Sequence, residues 1–487
     1  MTGQPQTLWT SDDVALATEG RFASGAQSES WQATGVSIDS RNCASGDLFV
    51  ALAGPNFDGH DYVGDALAGG AAGAVVSRIP DDLAGSAQLI AVDDCEVALT
   101  ALGQFARDRS NAQFVCVTGS VGKTSTKDGL AVALGACGTT HATAGNLNNH
   151  LGAPLTLARM PVDAAYSVLE LGMNHAGELT PLSQLARPDV AIITTIEAVH
   201  LEFFDSVCAI AEAKAEIFAG LGDKGVAILN RDNAYFAYLA TIAAEQGAAR
   251  ILGFGADPDA DARLIDTEVD DDGSDVTAEI DGHTLHYRLN APGRHRVINS
   301  LAVLAAVAGL GANIEAAAAA LGDVAVARGR GRRHRVATAT GDYVVIDDSY
   351  NASPASMRAA LDVLGAAHPG GNGRRIAVLG DMLELGPEAP RLHAGLIRNL
   401  EANNVDQVFS CGPLMAALDG VLSPNMRGDY ADTSEQLLPT VLSAVQAGDV
   451  VLVKGSLGSR VGPIAEALIN GAGGTQDKSE GGIRNAV

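Results

Sequence analysis

The sequence predicts an α/β protein made of three consecutive domains. Short, β-branched apolar runs alternate with helical stretches, which is typical of open, mostly parallel sheets. The chain has 487 residues, more than a single hydrophobic core usually organises. We therefore place domains at residues 1–110, 111–335 and 336–470. The tail, 471–487, is rich in glycine and charge, and we expect it to be disordered.

The first domain is predicted to be a small α/β unit. Its strand candidates are 46–52 and 74–76, with the loop 54–60 and a helical stretch between them. The second domain is predicted to hold a mostly parallel, doubly wound sheet with strands at 167–171, 190–194 and 225–229. It also contains an acidic, antiparallel excursion at about 255–290 and an alanine-rich helical stretch at 300–322.

The third domain is predicted to be a second open α/β sheet. Its strand candidates are 343–346, 376–379, 407–409 and 450–453. Helical stretches separate these strands, which again favours parallel pairing.

Composition narrows the cellular context and the partners. The formal net charge is −26, so the surface should repel nucleic acid and anionic membranes. No apolar run reaches the roughly 20 residues that a membrane span requires, and no signal peptide is apparent at the N-terminus. Six cysteines without paired spacing suit a reducing compartment. We expect a cytoplasmic protein, monomeric, without nucleic-acid or membrane partners.

The strongest motif is a phosphate-binding loop at 115–127. A β-branched run enters a glycine turn, a Gly-Lys-Thr follows, and a helical segment begins there. In such loops the backbone N–H groups and a helix N-terminus hold phosphates, the lysine reaches the β- and γ-phosphates, and the next hydroxyl binds Mg²⁺. The predicted nucleotide contacts are Gly119, Ser120, Gly122, Lys123, Thr124 and Ser125.

Three further side chains could serve catalysis, although each has an ordinary structural alternative. Glu170 ends a buried-looking strand, where it could hold Mg²⁺ or be a simple strand-end acid. His200 follows the next strand and could be a ligand or a structural histidine. Lys214 lies in a helical stretch and, on local sequence alone, reads as a solvated lysine.

Polar loops offer candidates for binding. Asn148 and Asn149 lie in a glycine-bounded loop that suits either turn formation or recognition of a polar ligand. Asp347 follows the first strand of the third domain, where it could bind ribose hydroxyls or cap a turn. The basic cluster at 328–335 could bind an anion or form a solvated face.

Together these motifs resemble the Mur ligase family, which makes the peptide of bacterial cell-wall precursors. The strings that carry the resemblance are 145–149 (Gly-Asn-Leu-Asn-Asn), 170–174 (Glu-Leu-Gly-Met-Asn), 347–351 (Asp-Asp-Ser-Tyr-Asn), 380–386 (Gly-Asp-Met-Leu-Glu-Leu-Gly) and 453–456 (Val-Lys-Gly-Ser). The resemblance implies an N-terminal UDP-substrate-binding domain, a central ATPase-like domain and a Rossmann-like C-terminal domain. It further implies ATP-dependent addition of D-alanyl-D-alanine to a UDP-N-acetylmuramoyl tripeptide through an acyl phosphate.

The same resemblance assigns roles to individual residues. Lys123, Lys214 and His200 are implied as catalytic groups. Thr124, Glu170, His200 and Lys214 are implied for two Mg²⁺ ions, with Lys214 carbamylated. His295 and Asn299 match the motif near the adenine, and Asp347 matches the ribose contact. The doubled Gly-Arg at 329–332 leaves open which arginine reaches the phosphates, and Arg332 is preferred. On the substrate side the resemblance implies Ser40 and Arg41, and the loop places Asn148 and Asn149 there.

Two departures and two alternatives accompany this interpretation. Thr195 stands where the family usually has asparagine, and the string 456–460 is less basic than usual, which leaves Lys454 as a weak candidate for the dipeptide site. A folylpolyglutamate-synthase-like ligase would share the phosphate loop but not the Asp39-Ser40-Arg41 motif. A nucleotide-dependent regulator would bind ATP without amine-dependent phosphate release.

Overall fold

The computed structural model describes residues 6–24, 30–199 and 201–471. Its strands fall into three main sheets that follow one another along the chain, each flanked by helices. This is the predicted α/β architecture of three domains. The exact domain boundaries stay a prediction, and the predicted disorder of the tail concerns residues that lie almost wholly outside the described ranges.

The first sheet has the strand order β2-β7-β6-β5-β4, and a short β1-β3 ladder lies beside it. Pairing is parallel except at β2-β7 and β1-β3. The elements are β1 (Trp9–Thr10), α1 (Ser11–Thr18), β2 (Arg21–Phe22), β3 (Gln32–Ala33), β4 (Gly35–Ser37), β5 (Asp47–Val50), α2 (Val63–Ala68), β6 (Gly73–Val76), β7 (Leu89–Ala91) and α3 (Cys95–Asp108).

The central sheet has the order β16-β15-β14-β13-β12-β11-β8-β10-β9. Its elements are β8 (Gln113–Thr118), α4 (Lys123–Gly135), β9 (Thr140–Ala142), α5 (Gly152–Ala158), β10 (Tyr166–Glu170), α6 (Leu179–Ala186), β11 (Val190–Ile193), α7 (Val207–Ala215), β12 (Val226–Asn230), α8 (Phe236–Glu245), β13 (Arg250–Gly255), β14 (Ala262–Val269), β15 (Ser274–Ile280), β16 (His283–Leu289), α9 (Arg294–Gly309) and α10 (Ile314–Ala320).

Strands β8 to β14 pair in parallel, whereas β14-β15 and β15-β16 are antiparallel hairpins. The predicted antiparallel excursion is thus confirmed, and it extends the sheet rather than leaving it. The predicted helical stretch at 300–322 is two helices, α9 and α10, because Gly311 adopts a positive φ of 70° between them.

Both faces of the sheet are buried at β8, β11 and β12, which explains the continuous apolar sequence of these parallel strands. Along β8, Val115 and Val117 pack into one core with α4 and α9, while Phe114 and Cys116 pack into the other. The alternation follows from the two-residue period of a strand.

The third sheet has the order β17-β18-β22-β19-β20-β21, antiparallel only at β17-β18. Its elements are β17 (Arg332–Thr338), β18 (Gly341–Asp348), α11 (Pro354–Ala366), β19 (Arg375–Gly380), α12 (Ala389–Ala394), α13 (Ile397–Ala402), β20 (Gln407–Cys411), α14 (Ala416–Asp419), β21 (Arg427–Ala431), α15 (Ser434–Ala444), β22 (Val450–Lys454) and α16 (Gly462–Asn470). None of the helices in the described ranges combines the length and the apolar character needed to cross a membrane.

Candidate active site

The phosphate loop has the backbone shape that the sequence predicts. β8 ends at Thr118 and α4 begins at Lys123. Gly119 has a φ of 148°, and a Cβ added there would come within 1.9 Å of Thr194 Oγ1. Gly122 caps α4 with a φ of 92°. Only glycine fits these two positions, and the resulting turn opens the helix N-terminus toward an anion.

The segment after β11 holds this loop in place. The Ser120 backbone N–H donates to the Thr195 carbonyl at 2.9 Å, and the Ser120 hydroxyl donates to the Glu197 carbonyl at 3.1 Å. The Thr194 hydroxyl donates to the Val121 carbonyl at 2.6 Å. The contact at Thr195 uses the main chain, so the unusual residue at this position does not disturb it.

Lys123 lies between opposite charges at the mouth of the loop. Its Nζ donates to the Gly119 carbonyl at 2.7 Å. Burial and the nearby charge of Arg330 lower the pKa of Lys123, while the Glu170 carboxylate acts in the opposite direction. Three chemically active groups from separate segments therefore lie close together.

Glu170 presents a carboxylate that is only half satisfied. The residue ends β10 and is 2% exposed. Its Oε1 accepts a hydrogen bond from Asn148 Nδ2 at 2.7 Å, whereas the buried Oε2 has no hydrogen-bond partner among the residues that the structure describes. A buried charged oxygen without a partner is costly, and a cation is the partner it suits.

Lys214 is buried, at 1% exposure, so the structure excludes the solvated alternative. Burial, followed by the charge of Lys123, lowers the pKa of Lys214 well below its ordinary value. No carboxylate in the part of the chain that the structure describes forms an ion pair with it. His200, predicted as a metal ligand and catalytic group, lies outside the described residues.

The first turns of α9 complete the nucleotide side of the site. Asn299 Nδ2 donates to the Ser125 hydroxyl at 3.0 Å, which ties α9 to α4. The His295 side chain is exposed to the solvent of the cavity that it lines, and the surrounding protein, followed by the charge of Arg296, lowers its pKa to about 4. His295 is therefore neutral at physiological pH and can exchange hydrogen bonds with an uncharged base.

Most of these groups line one cavity of about 1010 Å³ between the central and C-terminal domains, whereas Gly119 and the predicted Lys214 are not part of its wall. The predicted residues on its wall are Ser120, Gly122, Lys123, Thr124, Ser125, Asn148, Glu170, His295 and Asn299. The volume suits a nucleotide together with the reacting end of a second ligand.

Comparison with known proteins agrees with this architecture. The Mur ligase middle domain model matches residues 117–307, the Mur ligase glutamate ligase domain model matches 331–457, and the Mur ligase family catalytic domain model matches 32–108. The UDP-N-acetylmuramoyl-tripeptide--D-alanyl-D-alanine ligase of Escherichia coli (strain K12) is 37% identical over 435 residues, which span 89% of this chain and 93% of that protein. The chain belongs to the Mur ligase family.

Solved structures of this family share the fold of the present Mur ligase. MurF from Acinetobacter baumannii superposes with a TM-score of 0.82 at 31% identity, covering 95% of this chain and 98% of that one. MurF ligase from Thermotoga maritima, solved in complex with ADP, gives a TM-score of 0.73 at 27% identity, covering 89% and 96%. The resemblance predicted from the motifs is confirmed.

In this Mur ligase, Asp348 rather than Asp347 faces the cavity. The Asp347 carboxylate is occupied within its own turn by the backbone N–H of Gly329 at 3.0 Å and the Ser349 hydroxyl at 2.6 Å. Asp348 lines the cavity, where it pairs with the buried Lys454 at 2.7 Å. The carboxylate that lines the cavity is therefore that of Asp348, while the ribose contact of Asp347 stays a prediction.

The structure also separates the arginines of the doubled Gly-Arg motif. Arg330 lines the cavity, stacks on the Tyr350 ring at 4.3 Å and influences Lys123. Arg332 is exposed at the start of β17 and lies outside the cavity lining. The sequence-based preference for Arg332 therefore gives way to Arg330.

Three predicted substrate contacts lie away from this cavity. Asn149 Oδ1 accepts from the backbone N–H groups of Leu151 and Gly152, so the turn-forming alternative describes it. Ser40 and Arg41 lie in the N-terminal domain. Arg41 is exposed and forms a two-point ion pair with Asp39, with its shorter contact at 2.7 Å.

Sequence reasoning missed several groups on the cavity wall. Glu197 and Arg358 form an ion pair of 3.3 Å between the central domain and α11. Asp271, at the tip of the β14–β15 hairpin, pairs with Arg333 of β17 at 3.1 Å. These contacts join segments far apart in sequence, so no local pattern could have identified them.

Proposed function

We propose that this Mur ligase is an ATP-dependent amide ligase that adds D-alanyl-D-alanine to UDP-N-acetylmuramoyl-tripeptide during peptidoglycan precursor synthesis. The relative in Escherichia coli that carries this name matches over 89% of the chain. ADP in the Thermotoga maritima structure supports ATP as the energy source.

One observation carries the proposal: Lys123, the unpartnered Oε2 of Glu170 and Arg330 converge at a cavity between two domains. The phosphate loop and Lys123 bind the triphosphate of ATP. Arg330 comes from the segment leading into the C-terminal sheet, so the arrangement of charges depends on both domains.

In the first step a carboxylate oxygen of the tripeptide attacks the γ-phosphorus of ATP. The bond from that phosphorus to the β-bridging oxygen breaks, and an acyl phosphate and ADP form. Both reactants are anions, so positive groups must offset their repulsion. Lys123 and Arg330 provide fixed positive charge where the transferred phosphoryl group passes.

The residues present also fit a magnesium ion. Thr124 and Glu170 would hold it, the latter through the oxygen that lacks a partner. The described residues include no group of three or more His, Cys, Asp or Glu placed to bind a metal. Mg²⁺ bound mainly by phosphates and water needs only one or two protein ligands, and when bound it neutralises phosphate charge.

Lys214 is suited to become a carbamate. Its lowered pKa favours the uncharged form of the amine, and an uncharged amine adds to CO₂ with loss of one proton. The product is an anion beside Lys123, which replaces repulsion between two cations with attraction. Such a group would supply an oxygen ligand for a second Mg²⁺.

In the second step the uncharged amine of D-alanyl-D-alanine attacks the acyl carbon. The new C–N bond forms, the C–O bond to phosphate breaks, and the amine loses one proton. Water must be kept from the acyl phosphate meanwhile, and the position of the cavity between two domains suits closure around it.

We further propose that Ser40 and Arg41 contact the uridine end of the substrate and that Asn148 positions Glu170. The Asn148 amide already holds one carboxylate oxygen of Glu170. We propose a monomeric, cytoplasmic enzyme whose partners are its small-molecule substrates.

The proposal is tested by phosphate release from ATP with the purified protein, UDP-N-acetylmuramoyl-tripeptide and D-alanyl-D-alanine, omitting each in turn. Release should require all three, and the product should be heavier than the tripeptide by the dipeptide less one water. Release that ignores the dipeptide, or none with all three present, would exclude this activity.

A further inference from the structure

Arg330, the arginine of the Gly-Arg repeat that lines the cavity, stands between two glycines that do little to restrain the chain. Gly329 has a φ of 72° and Gly331 a φ of 85°, in the left-handed region that glycine enters without steric cost. A peptide between two such residues rotates readily unless hydrogen bonds hold it. The place of the Arg330 side chain therefore depends on the hydrogen bonds of the backbone at 329–331.

The C-terminal domain holds this segment at three points. The Gly329 N–H donates to the Asp347 carboxylate at 3.0 Å, and the Gly329 carbonyl accepts from the Tyr350 N–H at 2.9 Å. The Gly331 N–H donates to the Asp347 carbonyl at 2.7 Å. These bonds hold the glycines on both sides of Arg330, and its own carbonyl turns to another partner.

That partner comes from the central domain. Arg296, in the first turn of α9, donates from Nη2 to the Arg330 carbonyl at 2.6 Å. The Arg296 guanidinium also lies against Gly331, where an added Cβ would come within 3.1 Å of Nη2. A hydrogen bond from a charged donor is stronger than one between neutral groups. Arg296 therefore fastens the segment that carries Arg330 to helix α9.

Helix α9 is itself tied to the phosphate loop. Asn299, one turn after Arg296, donates to the Ser125 hydroxyl of α4 at 3.0 Å. A chain of contacts thus runs from α4 through α9 to the Arg330 carbonyl. Lys123 and the Arg330 side chain lie at its two ends: burial lowers the pKa of Lys123, and the charge of Arg330 adds to this effect. The spacing of these two cations is therefore set through α9.

We propose that Arg296 is a positioning residue that holds Arg330 where phosphoryl transfer needs it, an inference that rests on the proposed ligase function. Arg296 acts through the main chain of Arg330 and not through a contact with the nucleotide. Loss of its hydrogen bond frees the Arg330 peptide between the two glycines, so the guanidinium no longer stays beside the transferred phosphoryl group. The loss should weaken transition-state stabilisation rather than nucleotide binding.

The test is a double-mutant cycle of Arg296→Met and Arg330→Met, with phosphate release measured in the presence of all three substrates. Methionine keeps much of the side-chain length and removes the donor. Arg296→Met should lower kcat about tenfold, as expected for a lost charge-assisted hydrogen bond, and Arg330→Met should lower kcat by more than that. In the Arg330→Met background, Arg296→Met should cost nothing further, because the residue through which Arg296 acts is already gone.

A binding measurement separates positioning from a direct contact with the nucleotide. The Kd for ADP, measured by titration calorimetry, should be the same in Arg296→Met and in the wild type. Arg296→Lys retains a charged donor and should recover part of the lost kcat. The matched control is Arg398→Met, at an exposed position of α13 outside the cavity lining, and it should have the kcat of the wild type.

Thermal unfolding establishes that each variant is folded, and Arg296→Gln replaces Arg296→Met if that variant is not. An unchanged kcat in Arg296→Met, or a wild-type kcat in Arg330→Met, would overturn the proposal. So would equal losses from Arg296→Met in both backgrounds, or a weakened Kd for ADP, which would assign Arg296 to the nucleotide. Failure of the wild-type protein to release phosphate with all three substrates would instead refute the underlying ligase function.

Discussion

At the scale of single residues, the site depends on charged groups held away from water. Lys123, Glu170 and Lys214 are drawn from three segments, and the charge of Lys123 adds to burial in lowering the pKa of Lys214. Part of this was predictable. The phosphate loop identifies Lys123, and the strand end identifies Glu170. The burial of Lys214 was not predictable, because a lysine flanked by alanine and glutamate in a helix is typical of a solvent-exposed position.

The phosphate contact of Lys123 can be tested by Lys123→Ala. We expect kcat to fall by about a thousandfold, since one charge is lost from the phosphoryl-transfer site, with the thermal unfolding midpoint nearly unchanged. Lys224→Ala, an exposed lysine before β12, should behave as the wild type. Near-normal turnover in Lys123→Ala would contradict the loop assignment.

Lys214 gives a prediction about stability and pH. Its pKa is lowered in the native state but returns toward 10.5 in the unfolded chain. Between the lowered native pKa and the unfolded value, the unfolded chain binds more protons than the native state, so native stability falls as the pH falls. Lys214→Met removes this dependence and should be the more stable protein in metal-free, bicarbonate-free buffer, by a margin that widens as the pH falls below the unfolded value of 10.5.

The same residue has a functional readout. Lys214→Ala should be inactive and should recover part of its activity with added short carboxylates, which replace the carbamate. Phosphate release measures both effects. Full activity of Lys214→Ala without added carboxylate would contradict the carbamate proposal. A difference in stability between Lys214→Met and the wild type that does not change with pH would contradict a lowered pKa for the Lys214 amine.

At the scale of elements, the strand–loop–helix unit from β8 to α4 shapes the site. Its two positive-φ glycines create the turn, and the segment after β11 fastens it. The sequence predicted this unit because the motif is local. The sequence does not show which of Asp347 and Asp348 lines the cavity, because a shift of one residue at the end of β18 exchanges their positions. For the same reason the sequence does not show which arginine of the Gly-Arg repeat before β17 lines the cavity.

A pair of glycine substitutions in this unit should act in opposite directions. Gly119→Ala places a methyl group within 1.9 Å of Thr194 Oγ1 at a φ of 148°, and we expect about 2 kcal/mol or more of destabilisation. Gly135→Ala, at the far end of α4 with no atom in its way, should stabilise by roughly 0.5–1 kcal/mol. Chemical denaturation measures both changes. A tolerated Gly119→Ala would contradict the tight turn.

At the scale of the whole molecule, the central and C-terminal domains meet around the cavity through polar contacts. The hairpin tip reaches β17 through Asp271 and Arg333, and His368 lies 3.5 Å from the same carboxylate. The sequence predicts three domains but not the contacts between two of them. The interface depends on contacts between residues about 60 positions apart, and these contacts leave no local pattern in the sequence.

This contact predicts a salt-sensitive closure. Asp271→Asn removes the charge that holds the hairpin to Arg333 and should raise the KM for ATP by about threefold at low ionic strength, with the difference shrinking in high salt. Small-angle scattering should show a larger radius of gyration in the absence of substrates. Asp272→Asn, the exposed neighbour, serves as the control, and equal behaviour of the two variants would argue against the contact.

The division of the cavity between two domains has a consequence for how the energy of ATP is used. The phosphate loop belongs to the central domain, whereas Arg330 lies in the segment that leads into the C-terminal sheet. Since the proposed phosphoryl transfer uses both, we expect cleavage of ATP to require the two domains together. By the same reasoning, a central domain expressed alone should retain ADP and yet make no peptide bond.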